Sequence, residues 1–233
     1  MFSNDPNIKG PLAEFILHQN FVEAAILGDI LALDDAVDTY GINVNWGKDT
    51  DRNALAGAVC SNQTEAVRFL LSHGADPNTM YHGYPLLYIA CLNGDDDIIR
   101  LLLAAGACVT RLEEATGQLS ILDGAVRNGD EDLVDFALSI TKLAGMDMKR
   151  LYTEGLISSV EENNLRLAQK FLDLGAEPDD TGPNGCYGFP ALQLATDRKN
   201  ADMVRLLVLY GAKAGLHLSS VQELLTGGRQ HDR

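Results

Sequence analysis

Four cysteines (Cys60, Cys91, Cys108, Cys186) and five histidines (His18, His73, His82, His217, His231) are the side chains best suited to hold a transition metal or act as nucleophiles. The cysteines stand 31, 17 and 78 residues apart, with no Cys-x-x-Cys pair and no histidine cluster beside them. Zinc sites use closely spaced ligand pairs, so this spacing reads as reduced, mostly buried thiols and no metal. Carboxylates come in runs: Asp34-Asp35, Asp95-Asp96-Asp97, Glu113-Glu114, Glu161-Glu162 and Asp179-Asp180. Adjacent carboxylates diverge, and a calcium loop needs alternating ligands. His73 stands directly before Gly74, where an imidazole suits the negative end of a helix better than it suits catalysis. The chain contains no Gly-x-x-x-x-Gly-Lys-Ser/Thr loop, no His-Glu-x-x-His and no Gly-x-Ser-x-Gly. The expectation is no catalytic residue, no cofactor and no enzyme.

Composition narrows the class further. The 233 residues carry 18 Lys+Arg against 33 Asp+Glu, a net charge of −15. Phosphate binding draws on Lys and Arg, so the acidity argues against nucleic acid and against anionic membrane surfaces, and it permits a basic protein partner. Hydrophobic residues make up 46% and charged residues 22%, ordinary values for a folded chain. The longest apolar run, Leu101 to Val109, is about half the roughly 18 residues of a membrane span. The first 20 residues lack a signal-peptide pattern, so a cytoplasmic location is expected.

The elements that must position any working residue are set by a repeat. Leu55-Ala56-Gly57-Ala58-Val59, Val67 to Leu71 and Gly74-Ala75-Asp76-Pro77-Asn78 return as Leu87 to Cys91, Ile99 to Leu103 and Gly106-Ala107. They return again as Leu192 to Ala195, Val204 to Leu207 and Gly211-Ala212. Weaker copies start at Phe21, Leu122 and Leu156; with these six anchors the spacings are 34, 32, 35, 34 and 36. Ala24, Ala58, Ala90, Ala125, Ser159 and Ala195 fall three residues after the anchors, one helical turn on and on the same face. Gly28, Asn62, Gly94 and Asn163, seven after, stop the first helix as left-handed caps, and Asp29, Asp95 and Asp130 suit the start of a second. A single helix pair cannot bury its apolar face, so neighbours must stack.

This pattern resembles the ankyrin-repeat family, whose unit is about 33 residues. The resemblance rests on the Gly-Ala-Asp-Pro-Asn at residues 74–78 and the Gly-Ala-Glu-Pro-Asp at 175–179, which match the family's closing turn. No unit keeps the family's Thr-Pro-Leu-His run, and Ser139 to Arg150 replaces the Gly-Ala close with a longer, irregular connection. A HEAT-type helical solenoid is the competing reading of the period. The implied fold is an all-α ankyrin-type solenoid of stacked helix-turn-helix repeats with β-hairpin-like loops. One domain is expected over residues 1–233: a cap at 1–20, repeats near 18–45, 46–78, 79–110, 111–145, 146–179 and 180–215, then a cap and tail at 216–233. Pro11 to His18 is read as an amphipathic turn covering the first repeat. Leu216 to Leu225 is read as a closing helix capped by Ser219 or Ser220.

The resemblance also implies a concave recognition face made of hairpin tips and the exposed ends of the first helices. In the third repeat the tip carries Tyr81, His82 and Tyr84 around Gly83; in the sixth it carries Tyr187 and Phe189 around Gly188. In the second it carries Asp49 and Arg52, with Trp46 on the hairpin stem. Positions five and six after the anchor add Leu92, Asn93, Arg127, Asn128, Glu161, Glu162, Asp197 and Arg198. Tyrosine, tryptophan and arginine dominate binding energy, which makes Tyr81 and Tyr84 the leading anchors. The function expected is non-enzymatic: a monomer when free that binds or inhibits a basic partner protein. A toxin-neutralising immunity protein and a host-directed effector or adaptor are the alternatives.

Overall fold

All six repeat anchors are buried in a computed structural model, which describes residues 11–47, 52–113, 117–180, 190–213 and 218–227. So is the column three residues on, including its one polar member: Ser159 donates its hydroxyl to the Gly155 carbonyl at 2.6 Å, so its own hydroxyl is satisfied. The fold is an all-α repeat solenoid, and the chain divides into two compact units, Met1–Arg111 with Leu119–Gly124 and Leu112–Gln118 with Ala125–Arg233.

The first unit pairs α1 (Pro11–Leu27) with α2 (Ile30–Tyr40), α3 (Ala54–Cys60) with α4 (Thr64–Ser72), and α5 (Leu86–Asn93) with α6 (Asp96–Ala104). Its hairpin joins β1 (Met80–Tyr81) to β2 (Tyr84–Pro85). Strands β3 (Thr110–Glu113) and β4 (Gly117–Ser120) form a second two-stranded sheet, and α7 (Ile121–Asn128) follows. The second unit holds α8 (Glu131–Leu143), the pairs α9 (Met148–Glu161) with α10 (Leu165–Asp173) and α11 (Ala191–Asp197) with α12 (Ala201–Leu209), and α13 (Leu218–Gly227).

Each first helix ends in a left-handed residue seven after its anchor. The φ angles are 72° at Gly28, 53° at Asn62, 74° at Gly94, 87° at Gly129, 57° at Asn163 and 57° at Lys199. Gly129 and Lys199 complete a set of which the sequence reading found four. The second helices then begin at side-chain caps: Asp29 accepts from the Ala32 amide, Asp95 from Ile98 and Asp130 from Asp132. Asn164 and Asn200 do the same for Leu167 and Met203. Gln63 makes no such bond; its side chain lies over Gly28 instead.

Each second helix closes on another left-handed glycine: Gly41, Gly74, Gly106, Gly145, Gly175 and Gly211. At five of the six the following amide reaches back five residues, as in Ala75 to the Leu70 carbonyl at 3.0 Å and Ala176 to Phe171 at 2.9 Å; Ile42 reaches back six, to Ala36 at 3.3 Å. Met146 makes the same bond to Thr141 at 3.3 Å, which corrects the reading of Ser139 to Arg150 as irregular. Helix α8 runs to Leu143, Gly145 closes it, and α9 begins at Met148 behind an Asp147 cap. Methionine in place of alanine hid an ordinary close, and a 14-residue α9 takes up the residues that a hairpin would have used.

At three closing turns, those of Gly74, Gly106 and Gly211, neighbouring repeats are tied through one backbone amide two residues after the glycine. Asn45 accepts from Asp76 N at 2.8 Å and donates to the Gly74 carbonyl at 2.8 Å. Asn78 accepts from Cys108 N at 2.8 Å, and Asp179 from Lys213 N at 2.9 Å. Within the α9–α10 repeat the Thr153 hydroxyl takes the Glu177 amide at 3.2 Å, with a Lys149–Glu177 ion pair of 2.5 Å beside it, so this amide is held by its own repeat.

Two glycines inside first helices are set by packing. A Cβ on Gly155 would stand 2.4 Å from Cζ of the fully buried Phe171 ring, and one on Gly124 would stand 2.8 Å from the Tyr88 carbonyl. The ends differ from expectation in detail. Pro11 to His18 is not a separate turn but the first half of α1, and Ser219 and Ser220 lie inside α13, which starts at Leu218. Among the described residues no helix is long and apolar enough to cross a membrane.

Candidate protein-binding face

Hairpin geometry in the first unit is dictated by two residues. His82 and Gly83 both take positive φ, 50° and 82°, as a two-residue turn between right-twisted strands requires. Tyr81 therefore pairs with Tyr84 across β1 and β2. The Tyr84 ring lies flat on that of Tyr88, 5.3 Å away at 17°; Tyr88 is buried, so Tyr84 is the outer plate and 42% exposed. Tyr81 is half-buried and meets the His82 ring edge-on at 4.3 Å.

The ends of the first helices behave differently along the chain. In the first unit they carry apolar side chains in water: Leu27 is 68% exposed, Ile26 41% and Leu92 40%. Ile26 and Leu27 stand five and six residues after Phe21, so the spacing that selected Leu92 also selects them, and the sequence reading passed over them. Gly57 makes room for Ile26, whose Cγ1 would stand 2.8 Å from a Cβ there. Asn93 is committed to its neighbour, its amide donating to Asn62 Oδ1 at 3.1 Å.

In the second unit the equivalent positions bind each other. Arg127 reaches Glu161 at 2.8 Å and Glu162 at 2.6 Å. Two carboxylates at the last turn of α9 oppose the negative end of the helix dipole, and a guanidinium bridging both offsets that cost. Arg198 donates to the Val160 carbonyl at 3.2 Å, which also accepts from the Asn163 amide, and to the carbonyl of Glu161 at the helix end. Asn128 and Asp197 are exposed.

Trp46 and Arg52 are used within the first unit. The indole stacks on His18 at 4.7 Å and meets Phe15 edge-on at 6.1 Å; the Arg52 guanidinium lies 5.7 Å above the Phe15 ring. These contacts fasten the long α1 to the second repeat's approach. Asp49, Tyr187 and Phe189 lie outside the described residues. The cysteines depart from expectation: Cys60 and Cys108 are exposed, and of the three described only Cys91 is buried. Cys60 stands at a helix-end position and Cys108 just past the buried Ala107, so neither enters the core. Burial pushes both the Cys91 and the Cys60 thiol up from the usual range, Cys91 much further, with Asp96 adding to it.

Comparison with known proteins agrees with this geometry. The family model for ankyrin repeats, in three copies, matches residues 21–113. A putative ankyrin repeat-containing protein of Treponema pallidum (strain Nichols) is 34% identical over 137 residues, 56% of this chain and 43% of that protein. The chain spans between 4% and 43% of the length of the curated relatives it matches. Among solved structures, the ankyrin repeat domain of human ASB11 is 25% identical, with a TM-score of 0.62 over 89% of this chain and 86% of that one. The complex of the Bd0816 predatory endopeptidase of Bdellovibrio bacteriovorus with the immunity protein Bd3460 gives a TM-score of 0.62 at 22% identity, covering 81% of this chain and 96% of the matched one. With the repeated caps, closes and joints described above, residues 21–113 are ankyrin repeats, and the chain as a whole has the fold of the ankyrin repeat domains it resembles.

Proposed function

We propose that this chain is a stoichiometric binder, in the simplest case an inhibitor, of a basic protein, and that it grips its partner with the hairpin and first-helix ends of the first unit. Ankyrin repeats are a protein-interaction module, and the finer reading rests on one observation: apolar side chains are exposed at equivalent positions of two repeats, and a tyrosine is exposed at the hairpin of the same unit. Nothing in a repeat stack requires those residues to be apolar there, whereas an apolar anchor on a chain of net charge −15 suits a partner that presents Lys or Arg around an apolar knob. Tyr84, Tyr81, Leu92, Ile26 and Leu27 are the proposed contacts, with His82 and Asn93 at their edge. The charged set of the second unit, already satisfied internally, contributes field more than contact. A cytoplasmic location and a monomeric free state belong to the same proposal.

The narrower reading, an immunity protein that neutralises a toxic enzyme, has the fold shared with the Bdellovibrio complex in its favour. One experiment addresses both. Immobilised chain is exposed to lysate of its source organism, and retained proteins are identified by mass spectrometry, in parallel with Tyr84→Ala and Leu92→Asp. The expected outcome is one basic protein held at one-to-one stoichiometry and released at least tenfold more readily by each variant, about 1.4 kcal/mol. Equal retention by both variants would move the working face to the second helices. An enzyme among the retained proteins, inhibited on binding, selects the narrower reading.

A further inference from the structure

Away from the face described above, the first unit holds a pocket of about 320 Å3, lined by Glu14, Leu17 and His18 of α1 and by Tyr40, Ile42 and Asn43 around the end of α2. The Glu14 carboxylate is exposed and joins no hydrogen bond or ion pair with any described residue. His18 donates from Nδ1 to the Glu14 carbonyl at 2.7 Å; in the neutral ring this tautomer leaves Nε2 an acceptor. The ring cannot swing away, because Trp46 stacks on it. Leu17 and Ile42 supply an aliphatic wall, and Tyr40 supplies a partly exposed aromatic ring.

We propose that this pocket receives an arginine side chain of a protein partner. A guanidinium has several donors in one plane and no acceptor, which complements a carboxylate and an imidazole acceptor set apart on one helix. Its stem fits the aliphatic wall, and its face suits an aromatic ring. An anionic ligand would meet an unpaired carboxylate, and a neutral apolar one would strand it. The net charge of −15 raises the local concentration of such a cation. The inference rests on the reading that the chain binds a basic protein, yet it is testable without that partner, so the two fail separately.

The probe is N-acetyl-arginine amide, titrated at about 0.15 M salt so that long-range attraction is screened. N-acetyl-citrulline amide, the neutral isostere, is the control. Trp46, the single tryptophan, reports through fluorescence because it contacts His18, and amide NMR shifts map the contact. The expected result is a saturable response centred on His18, Gly41 and Asn43, at least fivefold weaker for citrulline and at least fivefold weaker in Glu14→Gln. Tyr84→Ala, outside the pocket lining, is expected to respond as the parent does. Equal responses to arginine and citrulline, an unaffected Glu14→Gln, or shifts spread over the acidic helices would each overturn the proposal.

Discussion

The same two positions, five and six residues after the anchor, do opposite work in the two units. In the first they leave Ile26, Leu27 and Leu92 facing water; in the second they bring Arg127 onto Glu161 and Glu162, and Arg198 onto the α9 carbonyls. Backbone geometry is alike in both, since each helix ends in a left-handed residue at the next position. What differs is who satisfies the side chains. A helix end whose charged side chains pair with its neighbours is structural, whereas exposed apolar side chains at a helix end are what the proposed binding face rests on.

The largest effect expected from breaking this contrast lies within one helix. Ala90→Asp places a carboxylate in the buried column and should cost roughly 3 kcal/mol or more in urea unfolding. Leu92→Asp, two residues on, should change stability by less than about 0.5 kcal/mol. Equal costs would mean that the outward half of α5 is packed after all.

A smaller effect belongs to the second unit. Arg127→Ala leaves both α9 carboxylates facing a negative helix end. The pairs are about one third exposed, so solvent screening holds the expected loss to about 1 kcal/mol, shrinking further in 1 M salt. The double reversal Glu161→Lys/Glu162→Lys sets two ammonium groups against Arg127, and should lower the melting temperature before it alters any association rate. A salt-independent melt for Arg127→Ala would show that the bridge contributes nothing electrostatic.

Tyr84→Ala removes one plate of a stacked pair, so its stability loss should stay below about 1 kcal/mol while partner binding falls tenfold. Losing stability without losing binding would reassign Tyr84 to packing. The smallest readout is kinetic. With a thiol reagent near neutral pH, Cys108 and Cys60 should label in the folded chain, Cys60 more slowly because burial disfavours its thiolate, and Cys91 only after unfolding. Rapid labelling of Cys91 would place the α5 column in a loosely packed first unit.

Much of the fold was legible because the signals are local. Gly28, Asn62, Gly94 and Asn163 are residues that tolerate positive φ, and they sit at a fixed distance from an apolar anchor. Lys199 was invisible for the converse reason, since no lysine advertises a left-handed backbone. The α9 repeat was misread where Met146 stands for alanine, although its amide makes the bond of the residue it replaces. At the site, Tyr81 and Tyr84 could be located by counting. The clamp of Arg127 on Glu161 and Glu162 could not, because its members are 34 and 35 residues apart; only the repeat length itself shows that such residues are neighbours.

The joint at these closing turns sets the terms on which such a chain can diverge. What one repeat recognises in the next is a backbone amide at a fixed bend, and asparagine or aspartate serves equally as the hand that takes it. Recognition of a bend rather than of side chains lets each repeat drift almost independently, as spoken words may change while the pauses between them stay fixed. Surfaces as unlike as an apolar ridge and a charge clamp then arise on one scaffold without renegotiating the joints between units.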